Sequence, residues 1–63
     1  MTPWVPIHDA AEALMRSVKT LRGWVRHGEV RSIADPETGR TLIHWLDARR
    51  IAAVKARRER RRV

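Results

Sequence analysis

Apolar positions along this chain change their spacing several times, and each change marks a predicted element. Ala10, Ala11 and Leu14 fall at i, i+1 and i+4, which makes one apolar face of a helix over residues 8–15. Asp9 and Glu12 suit the positive N-terminal end of that helix, and its small alanines let a second helix approach closely. Leu21, Trp24 and Val25 repeat the pattern (i, i+3, i+4) in a helix from Val18 to His27. Ser17 is placed to cap that helix, and Gly28 to stop it, where a left-handed residue is wanted. The spacing then turns strand-like. Val30–Ala34 and Arg40–Trp45 read as two strands around Asp35-Pro36-Glu37-Thr38-Gly39, a turn in which Pro36 presets φ and Gly39 takes the left-handed position. Before the first helix, Pro3 and Pro6 flank Trp4-Val5, which suits an extended segment or a short edge strand. After the hairpin a last helix starts near Leu46-Asp47, with Ile51 and Val54 able to pack back on the core.

The predicted fold class is α+β: a small winged helix-turn-helix with two to three helices and a two-stranded hairpin wing. At 63 residues the chain makes one small domain, and the absence of cysteine excludes disulfide and thiolate-metal support. Trp4, Trp24 and Trp45 are the aromatic residues, and all three are expected as core anchors. No apolar run approaches the roughly 18 residues of a membrane span, and no signal-peptide pattern is present. A cytoplasmic, DNA-associated protein without a membrane partner is expected.

Charge changes the picture most. The formal net charge is +7, and twelve of the fourteen basic residues are Arg. It lies in two blocks. Residues 16–31 carry Arg16, Lys19, Arg22, Arg26 and Arg31 against Glu29, and residues 49–63 hold seven Arg and one Lys against Glu59. Such blocks release counterions from a phosphate backbone and so favour nucleic-acid binding. From Lys55 onward apolar content almost disappears, dividing the chain into a folded domain over 1–54 and a basic tail over 55–63 that is frayed or disordered when free.

Candidate DNA contacts follow from these placements. Lys19, Arg22 and Arg26 (i, i+3, i+7) share the polar side of the second helix. Lys19 and Arg22 are expected at or near base edges, Thr20 at a base or phosphate, and Arg26 along phosphates. Ser17 and Thr20 serve equally as capping residues. Arg40, with Thr38 and Arg31, offers wing contacts, while Asp35 and Glu37 at the hairpin tip would repel phosphate. Gly23 inside the helix costs about 1 kcal/mol relative to Ala, which close approach of a DNA backbone would explain. Arg57, Arg58, Arg60, Arg61 and Arg62 suit a phosphate clamp or a docking surface for a protein partner. His8, His27 and His44 lie on different elements without paired ligand spacing, so no metal site is expected. No nucleophile arrangement, Gly-rich phosphate loop or closed pocket is legible, which leaves no basis for an enzyme, a cofactor or a small-molecule ligand.

The run Asp9-Ala10-Ala11-Glu12-Ala13-Leu14, then Ser17, Thr20-Leu21-Arg22 and Trp24-Val25-Arg26-His27-Gly28-Glu29-Val30, followed by a hairpin and a helix, resembles the MerR/excisionase-type winged helix-turn-helix. The resemblance covers about residues 4–54 and is most specific from Thr20 to Val30. A stand-alone chain of this length looks most like phage excisionases, the recombination directionality factors. The resemblance implies an architectural protein that binds repeated sites on double-stranded DNA, associates head to tail, bends the DNA and helps a tyrosine integrase excise a prophage. A small MerR-like transcription regulator is the alternative. Where the family often has Gly-Val before the serine of the turn, this chain has Met15-Arg16. Met15 is then expected to plug the core, and Arg16 to turn outward to phosphate.

Overall fold

The computed structural model describes residues 2–60, the last by its backbone alone. Its elements are β1 (Trp4–Pro6), α1 (Ile7–Ala13), α2 (Val18–Arg26), β2 (Ser32–Ala34), β3 (Thr41–His44) and α3 (Trp45–Arg60). This is a small α+β architecture with three helices and a three-stranded antiparallel sheet, compatible with a winged helix.

β3 is the middle strand, paired with β1 on one side and β2 on the other. Trp4 lies opposite His44 and Val5 opposite Ile43, while Ser32 lies opposite Ile43 and Ala34 opposite Thr41. The hairpin is therefore three-stranded once the N-terminal segment joins it. That segment keeps its prolines at an edge, where a missing N–H breaks no second ladder. Its far end is closed by the Trp45 N–H donating to the Pro3 carbonyl at 2.8 Å.

Ile7, Ala10 and Ala11 of α1, Leu21 and Trp24 of α2, Val30, Ile43 of β3 and Ala48 of α3 form the buried core. Leu14, Val18, Val25, Trp45, Ile51 and Ala52 pack against it. Alanines at 10 and 11 bring the α1 backbone close to Leu21, which is fully buried. Each of the first two helices ends in the same way. At the end of α2, Gly28 has φ +75°, its N–H donates to Val25 and the Glu29 N–H donates to Trp24. At the end of α1, Met15 has φ +56°, its N–H donates to Glu12 and the Arg16 N–H donates to Ala11. Both are left-handed C-terminal caps that satisfy otherwise orphaned carbonyls. A left-handed residue with a Cβ costs about 1–2 kcal/mol, so Met15 holds this turn under strain that glycine would not feel.

Three expectations are corrected here. Met15 does not plug the core: its side chain is 92% exposed, because the left-handed backbone points it out of the turn. The last helix begins one residue early, at Trp45, and runs without a break across 54–55 to Arg60, so the basic segment up to that residue is not a separate frayed tail. Two ion pairs explain this continuation, Lys55 to Glu29 at 3.4 Å and Glu59 to Arg16 at 2.8 Å, which tie its second half to the body. Finally, α1 spans Ile7–Ala13 and not 8–15, since the left-handed cap takes residues 14–16 out of the helix.

Candidate nucleic-acid interface

The start of α2 is set by Ser17. Its Oγ accepts from the Thr20 backbone N–H at 3.1 Å and lies 2.8 Å from the Thr20 hydroxyl. Both hydroxyls are thus engaged with each other and with an otherwise unpaired helix donor. The other end is set by Gly28 and by His27, whose Nδ1 lies 2.8 Å from the Gly23 carbonyl. Only the donor form of that nitrogen fits a carbonyl acceptor.

Between these ends the helix is sharply two-sided. Leu21 and Trp24 are buried, whereas Lys19, Arg22 and Arg26 are exposed. Val18, Lys19, Arg22, Gly23 and Arg26 line one shallow concavity on this outer side. A Cβ built on Gly23 meets nothing within 4 Å, so no neighbour inside the domain requires glycine there. The exposed side of α2 carries no carboxylate.

Arg22 also lines a second concavity, with Pro6, Ile7, His8, Val18, Gly39, Arg40 and Thr41. This groove joins the outer side of α2 to the hairpin. Arg40 and Arg22 therefore line one groove, and His8 joins them there. The His8 imidazole lines the groove and lies 3.0 Å from the exposed Asp9 carboxylate. At the hairpin tip the Asp35 carboxylate accepts from the Glu37 N–H at 2.9 Å and from the Thr38 hydroxyl at 3.0 Å. These bonds hold the Asp35 carboxyl below the usual carboxylate range. The Thr38 hydroxyl also accepts from the Arg40 N–H at 3.2 Å, so Thr38 builds the loop that aims Arg40.

Two of the expected contact residues are engaged in ion pairs within the domain, Arg16 largely covered and Arg31 still 67% exposed. Arg16 turns inward: its guanidinium donates to Glu59 at 2.8 Å and sits 6.0 Å from the Trp24 ring centroid, with a side chain only 23% exposed. The acid on α3 and the aromatic face together outcompete solvent for it. Arg31 is held by Asp47 in a two-pronged pair, Nε at 2.8 Å and Nη2 at 3.1 Å. The Arg31 hydrogen bond holds the Asp47 carboxyl well below its ordinary range, against the opposing effect of its burial, and raises Arg31 in turn. This pair fastens the start of the wing to the first turn of α3. Arg57 and Arg58 are exposed on α3 and not on the α2 side. Arg60 is placed by its backbone, and Arg61 and Arg62 lie outside the described residues.

His44 stacks edge-on against Trp4, with ring centroids 5.3 Å apart. Among the described residues no group of His, Asp and Glu has the geometry to hold a metal ion, and no helix is long and apolar enough to cross a membrane. The chain matches no protein-family model, and no match is found among curated proteins or solved structures.

Proposed function

We propose that this chain is a DNA-binding architectural protein of excisionase type. In this reading α2 enters the major groove of double-stranded DNA and the β2–β3 hairpin rests beside it as the wing. Lys19 and Arg22 address base edges, since a guanidinium can bond both acceptors of a guanine. Arg26 follows the phosphates, and Arg40 enters the neighbouring minor groove, where a narrow groove attracts arginine. Ser17 and Thr20 hold the helix N-terminus in place. Cooperative head-to-tail binding at repeated sites, bending, and service to a tyrosine integrase complete the proposal; they rest on the family resemblance.

The observation that carries the reading is the acid-free outer side of α2, with Lys19, Arg22 and Arg26 exposed and Arg22 opening into the same groove as Arg40. A cationic helix beside an arginine at the base of the hairpin is the arrangement a winged helix uses to span two grooves of one duplex, with Arg40 and not the acidic tip making the wing contact.

The test is a gel-shift titration with circularly permuted DNA fragments carrying the native attachment region or the native promoter region. A ladder of cooperative, bent complexes on the attachment region supports the proposal. One unbent complex confined to the promoter assigns the chain to a small MerR-like regulator instead, and uniform binding to every fragment removes sequence-specific recognition altogether.

A further inference from the structure

Helix α3 is less sharply two-sided than α2, but its packed and exposed sides differ in charge. Its inner side holds Ala48, which is fully buried, with Ile51 and Ala52 packed on the core. Its acids Asp47 and Glu59 are both ion-paired to the body, Asp47 to Arg31 from a largely buried position and Glu59 to Arg16 with its side chain still 61% exposed. Its lysine, Lys55, is paired with Glu29. Exposed on this helix are Leu46, Arg49, Arg50, Ala53, Arg57, Arg58 and Glu59, the last paired with Arg16. Among the described residues no carboxylate forms an ion pair with Arg49, Arg50, Arg57 or Arg58. A solvated surface ordinarily mixes both signs. Here each ion-paired acid of the helix is engaged with the body.

The two cationic surfaces point away from each other. α3 lies along the packed side of α2, through Glu29 and through Arg16 over Trp24. Lys19, Arg22 and Arg26 occupy the side of α2 opposite Trp24, and Arg49, Arg50 and Arg57 occupy the side of α3 opposite Ala48, by helical periodicity.

We propose that the outer side of α3 is a second, sequence-independent binding site for duplex DNA, so that one molecule bridges two DNA segments. This rests on the DNA-binding reading above. From Arg49 to Arg57 the helix advances roughly 12 Å, at about 1.5 Å per residue. A duplex strand presents one phosphate per about 3.4 Å of axis, or about three to four over that length. The three guanidinium groups on that side, of Arg49, Arg50 and Arg57, fit that number, and rigid presentation on a helix lowers the cost of ordering them. Sequence reading missed Arg49 and Arg50 because it divided the chain at 54–55 and separated them from Arg57.

The experiment tethers one duplex to beads and measures capture of a second, labelled duplex by the full chain. Single-duplex affinity is followed in parallel by fluorescence anisotropy. The variants are Arg49→Gln/Arg50→Gln, which removes two cations, and Ala53→Glu, which sets a carboxylate in the middle of the stripe. Both put good helix formers at exposed positions, and unchanged circular dichroism confirms that each folds. The expected result is capture by the wild type that weakens as salt is raised, loss of capture in both variants, and single-duplex affinity within about twofold of wild type. Capture that survives both substitutions, as pairing between bound copies would give, overturns the proposal. So does a wild type that binds one duplex and captures no second, or a parallel loss of single-duplex affinity, which would put the stripe on the same duplex as α2. A wild type that binds no duplex at all overturns the proposed function as well, and so separates the two failures.

Discussion

Replacing Gly23 by alanine separates what this glycine does for the domain from what it does for a bound partner. Position 23 is in the interior of α2, and its φ is not positive. A Cβ there meets nothing within 4 Å. The Gly23 carbonyl still accepts from the His27 N–H at 3.0 Å whatever the side chain. Nothing in the folded state therefore opposes the substitution, and the gain is that of alanine over glycine in a helix interior, about 0.8–1 kcal/mol. Part of it comes from restricting the unfolded chain. For a domain of this size 1 kcal/mol shifts Tm by about 4–8 °C, so Gly23→Ala is expected to melt several degrees higher than wild type. Gly28→Ala gives the opposite sign, because φ is +75° there and a Cβ is strained whatever the space. Thermal unfolding followed by circular dichroism measures both. An unchanged or lower Tm for Gly23→Ala would refute the reading of an open, unstrained helix at that position. Fluorescence anisotropy on specific DNA supplies the second readout. If Gly23 lets a DNA backbone approach α2, the stabilised variant binds more weakly; equal or tighter binding would refute that role and leave the glycine as a plain cost to the helix.

Met15→Gly is expected to raise stability by about 1 kcal/mol, since it relieves a left-handed residue whose exposed side chain packs on nothing; a fall in the urea midpoint would contradict the cap described at the end of α1. Trp24→Ala should destabilise by about 3–5 kcal/mol, because the ring is buried and Arg16 lies over it; a near-native melting curve would disprove its core role. Arg22→Ala should cost about 1–3 kcal/mol in specific binding and relax preference at one base position, whereas equal loss on random DNA would make Arg22 a phosphate contact. Asp47 has a folded-state pKa below its ordinary value, so its contribution is present above about pH 3.9 and is lost as pH falls through and below that point. Acid titration of Asp47→Asn should therefore show a flatter loss of stability below that pH than wild type, and parallel curves would rule out the Arg31–Asp47 pair as the source.

Local chemistry was legible in the sequence wherever neighbours along the chain decide the outcome. The Ser17 cap, the Gly28 stop, the Asp35–Gly39 turn and the two-sided character of α2 each depend on residues a few positions apart, so propensity, hydrogen-bond reach and 3.6-residue periodicity suffice to place them. The exposed row Lys19, Arg22 and Arg26 followed from the same periodicity, and Arg40 from the turn that aims it. Tertiary structure decided what depends on residues far apart. Whether Arg16 is ion-paired was settled by Glu59, and whether Arg31 is by Asp47, partners 43 and 16 positions away. An arginine carries the same charge in either place, and composition does not show which arginines are already paired. The same applies to the basic C-terminal segment. Low apolar content suggested a tail, but Lys55 and Glu59 meet opposite charges on the body and extend α3 to Arg60. Short-range patterns determined the elements and the face of α2; long-range pairing determined which cations remain available, because ion pairing depends on distance in space and not on position along the chain.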